Sequence, residues 1–274
     1  MAGFREAYFA VLPGADGSAL TLAGGGTLIG TMPIAQQNPL PIVYRKARAW
    51  FAVFPFPLRG VVGMLPDPRL RPALVIPGTA ALVVAVFDFE DTSIGPYGEV
   101  GVGIPCRYRR STAVPLVPLL AEKWLDDVGP WVHLMPVTTE AAKDAGIQHW
   151  GYPKFVAEID IDVTESRMWA TVSEKGAPIL HVEVERPGPS RPMAFPVRPY
   201  SRLDDELLLT EFQVDAVGSI GRVGAKASLR LESHPRAAAL DGFGLERARP
   251  IEVRWCDEYR TALDQPRARY RIGG

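Results

Sequence analysis

Lysine is scarce in this 274-residue chain, although basic residues are not. Of its 30 basic residues only six are lysine, namely Lys46, Lys123, Lys143, Lys154, Lys175 and Lys226. Arginine supplies the rest of the positive charge. Arginine stays protonated in proteins, whereas lysine can lose its proton and attack a carbonyl carbon. A lysine in an unusual setting is therefore a candidate for chemistry and not for charge alone.

Cysteine and histidine are also few. Cys106 and Cys256 cannot build a disulfide framework and lack the spacing of metal ligands, so we interpret them as small buried hydrophobic residues. The four histidines fall on separate predicted elements without paired spacing, so no metal site is expected. No G-x-S-x-G nucleophile elbow and no phosphate-binding glycine loop is present. These patterns therefore disfavour a metal site, a phosphate-binding loop and a serine hydrolase.

The chain lacks a strong net charge and a long apolar run. Its formal net charge of −1 leaves no electrostatic footprint for nucleic acid or an anionic membrane. The longest clean apolar run, residues 80–87, is far shorter than the ~20 residues of a membrane helix and predicts a buried strand. Arg5 and Glu6 interrupt the first apolar stretch, so no signal or transit peptide is predicted. We expect a cytoplasmic protein with neither nucleic acid nor membrane as partner.

Proline and glycine, with 26 residues of each type, leave few stretches long enough for helices and favour strands and turns. One helix is predicted from a cap at Thr138 or Thr139 to about His149, and a shorter one from near Leu119 to include Trp124. The expected fold is therefore a β-rich α+β domain. Period-two alternation predicts strands with one wet face at residues 157–163, 180–185, 227–232 and 251–255.

The segment 186–202, with five prolines, has the composition of a linker. Strands with the same alternation are predicted on both sides of it, so it need not separate two domains. We expect one sheet or barrel fed from both halves, and a single domain over residues 1–274.

Lys154 lies in the segment 150–156, WGYPKFV. Pro153 fixes its own φ and pushes Tyr152 toward an extended conformation, so the preceding helix must end and a strand can begin. Strand alternation then sends Phe155 to the face opposite Lys154. From this pattern alone, Lys154 is either a surface lysine at a strand edge or a nucleophile at a stiff junction.

The segment 146–154, GIQHWGYPK, resembles the acetoacetate decarboxylase family, whose Schiff-base lysine follows Tyr-Pro at the end of a short helix. Residues 91–105 resemble the family segment that carries an active-site glutamate, which would be Glu99. A weaker match at residues 48–51 assigns the family's active-site arginine to Arg48. The likeness covers about residue 45 to the end, and residues 1–44 contribute little to it.

The chain departs from the family pattern in three ways. Phe155 replaces a second lysine, residues 147–148 (Ile-Gln) replace Arg-Glu in the helix, and Ala85 stands where a further family glutamate is found. A free lysine side chain has a pKa of about 10.4, whereas imine formation requires the lysine to be a neutral amine. Burial alone can shift a lysine pKa far enough for that. A phenylalanine on the far side of the strand is therefore compatible with the chemistry if the pocket is dry.

The resemblance implies an antiparallel, cone-like β-barrel with a few short helices, and cofactor-free decarboxylation of a β-keto acid such as acetoacetate or a larger analogue. Lys154 would form the imine, Arg48 would hold a carboxylate or enol oxygen, and Glu99 would orient that arginine or move a proton. It also implies a homo-oligomer that binds a small keto acid. The residues alone are also compatible with purely structural roles. Glu99 would then be a turn residue, and Arg48 would pair with a carboxylate at the surface.

Two other functions stay open. An imine-forming aldolase or dehydratase of the same superfamily is suggested by the loss of the Arg-Glu pair at residues 147–148. A non-catalytic β-barrel protein that binds a small molecule is suggested by the missing second lysine at Phe155.

Overall fold

The computed structural model describes residues 39–61, 63–109 and 125–272. The helix predicted near Leu119 and Trp124, and all but the last few residues of the segment 1–44, lie outside the described residues. All described residues fall in one compact unit, residues 34–274. A single domain over the full chain stays a prediction.

Strands dominate the described residues, so the expected β-rich α+β class is confirmed. Two α-helices occur there, α1 (Leu58–Val61) and α2 (Glu140–Trp150), and neither is long and apolar enough to cross a membrane. Short 3-10 turns lie at Pro235–Ala237 and Leu245–Arg247. The strands in chain order are β1 (Ile42–Pro57), β2 (Leu70–Pro72), β3 (Leu74–Ile76), β4 (Thr79–Thr92), β5 (Tyr97–Tyr108), β6 (Val128–Val137), β7 (Lys154–Val156), β8 (Glu158–Val163), β9 (Arg167–Glu174), β10 (Ala177–Glu185), β11 (Arg191–Val197), β12 (Tyr200–Leu203), β13 (Glu206–Leu209), β14 (Phe212–Gly221), β15 (Ala227–Leu231), β16 (Glu252–Leu263) and β17 (Ala268–Arg271).

These strands form two sheets, and not the single sheet expected. The large sheet has the order β11-β14-β16-β1-β4-β5-β6-β12-β13-β17. Three short strands pair with it outside this order, β2 with β5, β3 with β4 and β7 with β6. The small sheet has the order β15-β10-β9-β8. Within the described residues the large sheet ends at two edge strands, so hydrogen bonding there does not close it into a barrel. Alternation located the strands but could not assign their partners, because it reports only which face is wet.

Buried side chains form two clusters on opposite faces of the large sheet. Along β1, Trp50 and Phe54 belong to the larger cluster, which also contains residues of the small sheet such as Met168. Ala49 belongs to the second cluster, together with Trp150 of α2. Because side chains alternate along a strand, β1 separates the face covered by the small sheet from the face covered by α2.

The proline-rich segment is not a linker. Residues 191–197 form β11, the edge strand of the large sheet, and residues 200–203 form β12. Pro192 and Pro196 are compatible with β11 because an edge strand has one side on which backbone N–H groups need no partner. Composition suggested a linker because proline is common both in linkers and at sheet edges.

Candidate active site

Helix α2 ends just before Lys154, as the sequence predicts. The Thr139 hydroxyl caps its start by accepting a hydrogen bond from the backbone N–H of Ala142 at 3.3 Å. At its end Gly151 adopts a left-handed conformation with φ of 62°. A Cβ at Gly151 would also lie 2.1 Å from the carbonyl oxygen of Arg202. Glycine is required here on both counts, and the chain then turns into β7.

The residues between α2 and β7 are anchored on both sides. The Trp150 indole donates to the backbone carbonyl of Asp264 at 2.9 Å, and the Ser201 hydroxyl donates to the carbonyl of Trp150 at 2.6 Å. The rings of Trp150 and Tyr152 stack with their centroids 5.8 Å apart. Strand β7 then pairs in parallel with β6. The backbone that carries Lys154 is therefore held firmly.

Lys154 and Glu99 form a buried ion pair. Nζ of Lys154 lies 2.6 Å from Oε2 of Glu99, with only 6% and 9% of the two side chains exposed. The ammonium also lies 5.6 Å from the centroid of the Tyr97 ring. Lys154 is therefore not a surface lysine, and Glu99 lies within β5 and not in a turn. The structure brings together these two sequence-predicted site residues.

Several buried tyrosines lie near this pair, among them Tyr44, Tyr97 and Tyr152. The hydroxyls of Tyr44 and Tyr97 are 3.1 Å apart. Burial raises the pKa of Tyr44, Tyr97 and Tyr152, and the nearby Glu99 carboxylate raises each pKa further. These phenols therefore remain protonated, so they can donate a hydrogen bond.

Phe155 points away from Lys154, as alternation predicts. Its ring is buried in the larger core cluster, on the side of the small sheet. The guanidinium of Arg236 lies 3.8 Å from the ring centroid and donates to Glu174 at 2.8 Å. A residue at position 155 is therefore packed beneath the strand that carries Lys154.

The structure does not bring Arg48 to Lys154. Arg48 lies on β1 opposite Asp88, with its Nη2 2.5 Å from the Asp88 carboxylate and its Nε 3.5 Å from that of Glu90. Its side chain is 39% exposed. Alternation along β1 puts Arg48 on the same face as Trp50, whereas Phe51 has the opposite orientation. The arrangement corresponds to the alternative of a surface partner for carboxylates.

Lys154 and Glu99 line a cavity of about 230 Å³ whose walls are mostly apolar. The walls include Phe51, Ala85 and Phe195, so the position that lost a family glutamate faces this space. Phe195 lies on edge strand β11, whereas Lys154 is on β7, which pairs with β6, the seventh strand of the sheet order. Since both line one cavity, the sheet curls around it without closing.

A second charged group in the cavity wall was missed by the sequence reasoning. Glu252 accepts from Nε of Arg254 at 2.6 Å and lies 2.7 Å from Nε of Arg222. All three residues line the cavity. The alternation at residues 251–255 did predict that Glu252 and Arg254 share the polar face of a strand. It could not reveal that this face turns toward a cavity.

The family model for acetoacetate decarboxylase matches residues 31–239. This chain belongs to the acetoacetate decarboxylase family. No functionally curated protein sequence matches it significantly.

Solved structures of the acetoacetate decarboxylase fold resemble this one at low sequence identity. The acetoacetate decarboxylase of Legionella pneumophila gives a TM-score of 0.59 at 16% identity, over 84% of this chain and 88% of that one. A second acetoacetate decarboxylase gives 0.56 at 15%, over 85% and 90%. The enduracididine biosynthesis enzyme MppR, complexed with a condensation product of pyruvate and imidazole 4-carboxaldehyde, gives 0.54 at 14%, over 84% and 89%. These likenesses establish a shared fold.

Two of the departures from the acetoacetate decarboxylase pattern lie outside the cavity. Ile147 and Gln148 are exposed on α2, and Phe155 is packed under β7. Ala85 is the departure that changes the cavity wall itself. Of these three departures, only Ala85 therefore changes the wall of the cavity.

Proposed function

We propose that this protein forms a Schiff base between Lys154 and a carbonyl substrate and cleaves a carbon–carbon bond without a cofactor, as a decarboxylase of a β-keto acid. The supporting observation is the Lys154–Glu99 pair, 2.6 Å apart and buried in the wall of an apolar cavity. The amine must lose a proton before it attacks, and Glu99 is the adjacent group that can accept it.

The proposed reaction proceeds through an imine and an enamine. The neutral amine of Lys154 adds to the ketone carbon, and the proton that Glu99 has taken from the lysine is returned to the new hydroxyl group. Water then leaves, and a protonated imine results. Carbon dioxide departs, and the electron pair of the broken bond moves to the imine nitrogen, which gives an enamine. Protonation of the enamine carbon and hydrolysis by one water release the ketone and restore the amine. The net reaction consumes one proton and releases carbon dioxide.

The residues around Lys154 suit these steps. Glu99 can carry a proton between the amine and the departing water, and the Tyr44 hydroxyl, which lines the cavity, can donate to the substrate oxygen. The mostly apolar walls of the cavity disfavour water around the reacting carboxylate, whose charge is dispersed as carbon dioxide forms.

An imine-forming aldolase or dehydratase is the second candidate. It is favoured by two observations at the lysine end, since Arg48 lies outside the cavity and Ala85 offers no carboxylate there. Of the charged groups that the family pattern predicts beside the Lys154 amine, the arginine therefore lies elsewhere and one glutamate is replaced by alanine. In this alternative the enamine of Lys154 would attack a second carbonyl.

Borohydride reduction tests the proposal directly. The protein is treated with acetoacetate, longer β-keto acids and plain ketones in the presence of borohydride, then analysed by intact mass and peptide mapping. We expect one adduct, on Lys154, which is lost in Lys154→Arg and retained in Lys46→Arg, whose lysine is exposed. If no carbonyl compound gives an adduct on Lys154, the proposal fails and a non-catalytic binding protein remains. An adduct without release of carbon dioxide from any keto acid favours the aldolase.

A further inference from the structure

The cavity has a cationic region besides its lysine. Arg254 and Arg222 both contact the carboxylate of Glu252, and Arg198 lines the same cavity. Arg254 is only 11% exposed, and its guanidinium lies 5.0 Å from the centroid of the Phe195 ring. Arg222 is half exposed and pairs with the other oxygen of Glu252. A mostly buried guanidinium with an aromatic ring beside it therefore lines the cavity.

Arg254 and Lys154 stand in one lateral row across the large sheet. Directly paired residues on neighbouring strands share a face, so the side chains of this row all point to the same side. Five inter-strand steps of about 4.8 Å separate its ends, or about 24 Å along the curled sheet. The row runs Arg254, Phe51, Ala85, Gly101, Met135, Lys154. Its step from Gly101 to Met135 follows from the register of β5 and β6, in which Val102 faces Leu134.

The two residues in the middle of this row are uncharged and have small side chains or none. Ala85 and Gly101 are its central residues, and a Cβ at Gly101 would meet only Met135, at an ordinary contact distance of 3.7 Å. Both ends line the same cavity as this centre. The space between the amine and the guanidinium therefore has an apolar floor without bulky side chains in its centre.

We infer that the substrate is a carbonyl compound that carries a carboxylate at its far end, beyond an apolar segment of several carbons, and that Arg254 binds this carboxylate. The inference rests on the proposed function, because that function assigns the carbonyl end to Lys154. A planar guanidinium binds carboxylate through two parallel hydrogen bonds, and burial strengthens them. A small substrate such as acetoacetate would leave the Arg254 end unfilled.

Arg198 is a less suitable anion ligand, although it too lines the cavity. Its Nη1 donates to the backbone carbonyl of Leu125 at 3.1 Å, and its Nε lies 3.5 Å from the Glu211 carboxylate. Glu211 also contacts Arg267, so Arg198 and Arg254 each share a carboxylate with a second arginine. What distinguishes Arg254 is its place in the row that ends at Lys154.

The test compares two probes that differ only in charge. Oxooctanoate with a terminal methyl ketone and its methyl ester are each titrated in the borohydride assay, and the half-saturating concentration for the Lys154 adduct is measured. We expect the free acid to saturate at about ten- to hundredfold lower concentration than the ester, the range of a charge-assisted hydrogen bond. Arg254→Gln should remove this advantage and leave the ester unchanged, and Arg254→Lys should restore part of it. Arg48→Gln, which removes an arginine outside the cavity, should leave both probes unaffected.

Equal half-saturation of acid and ester in the wild-type protein would overturn the inference, and so would an equal loss for both probes in Arg254→Gln. If Arg254→Gln does not fold, the comparison in the wild-type protein decides by itself. Calorimetry with octanoate, which has no carbonyl, separates the two proposals. Octanoate binding that depends on Arg254, without any carbonyl adduct, supports the carboxylate site and refutes the imine function. Adducts without a preference for the carboxylate refute the site and support the function.

Discussion

A methyl group on Gly146 would lie 2.4 Å from Cδ of Lys154 and 2.6 Å from its Cε. The lysine side chain therefore crosses α2 where the helix has no side chain. We predict that Gly146→Ala displaces Lys154 from Glu99 while the helix persists, since alanine is favoured over glycine in helices by about 1 kcal/mol. A displacement of about 1 Å can lower a rate by roughly 100-fold.

The rate of borohydride-trapped adduct formation and the melting temperature measure these two effects separately. Ile147→Ala is the matched control, because Ile147 is the next residue of α2 and is exposed. It should keep the wild-type rate. A Gly146→Ala variant that also traps carbonyl compounds at the wild-type rate would show that the lysine does not depend on this contact.

The buried pair should behave as a unit in stability measurements. Lys154→Met leaves the Glu99 carboxylate buried without its partner, which we expect to lower the free energy of unfolding by about 3 kcal/mol. The double variant Lys154→Met, Glu99→Gln should recover most of that loss, because neither charge remains. Urea unfolding of the wild type, both single variants and the double variant measures the coupling. Losses that simply add would indicate two independent residues.

Arg48 should be dispensable for catalysis. Its ion pairs with Asp88 and Glu90 are partly exposed, and such pairs contribute about 0–1 kcal/mol to stability. We therefore expect Arg48→Gln to keep the trapping rate and nearly all of the stability. A large loss of adduct formation in a folded Arg48→Gln variant would return this arginine to the active site.

Introducing the family's second lysine at position 155 should not increase the reactivity of Lys154. In Phe155→Lys the new ammonium would lie in the core between the two sheets and next to Arg236, so we expect a loss of about 3 kcal/mol or more. Phe155→Leu, which stays apolar, should lose less. The trapping rate of the folded fraction should not rise in either variant. Faster trapping in Phe155→Lys would mean that position 155 does influence the amine.

Asp257 should contribute stability that depends on pH. Burial alone would raise its pKa, but hydrogen bonds from Arg186, Ser190 and Trp255 outweigh it and lower the pKa from 3.8 to about 2. A carboxyl with a lowered pKa stabilises the fold above its unfolded pKa, and this contribution disappears as the pH falls through about 2. Because Asp257 is partly exposed, we expect about 1 kcal/mol at pH 7.

Urea unfolding at neutral pH and near pH 2 tests this expectation. The difference between wild type and Asp257→Asn should be larger at neutral pH. Glu258→Gln, a neighbouring exposed carboxylate, serves as the control and should show little difference at either pH. An Asp257→Asn effect independent of pH would assign the contribution to shape and not to charge.

Local signals made the junction at Lys154 predictable from the sequence. The Thr139 cap, the Tyr-Pro pair and the alternation after Lys154 each act over a few residues, and the helix, the turn and the orientation of Phe155 follow from them. The pair with Glu99 came instead from the family resemblance, because Glu99 lies 55 residues away in the sequence.

Orientation across a strand is the feature that the sequence left undetermined. A shift of one position moves a side chain to the other face of a sheet, so a weak match at residues 48–51 could not distinguish the face of Arg48 from that of Phe51. Glu252 and Arg254 were missed for a related reason. A polar strand face looks the same in the sequence whether it meets water or a cavity.

The two edges of the large sheet are both poor templates for another strand. On β11, Pro192 and Pro196 lack the backbone N–H that an added strand would need, and their even spacing removes two donors from the same side. On β17, only four residues long, Arg269 and Arg271 place positive charge where a second copy would bring the same charge. The open sheet that curls around the cavity in the described residues is therefore unsuited to adding further copies of itself, strand by strand, into a fibre.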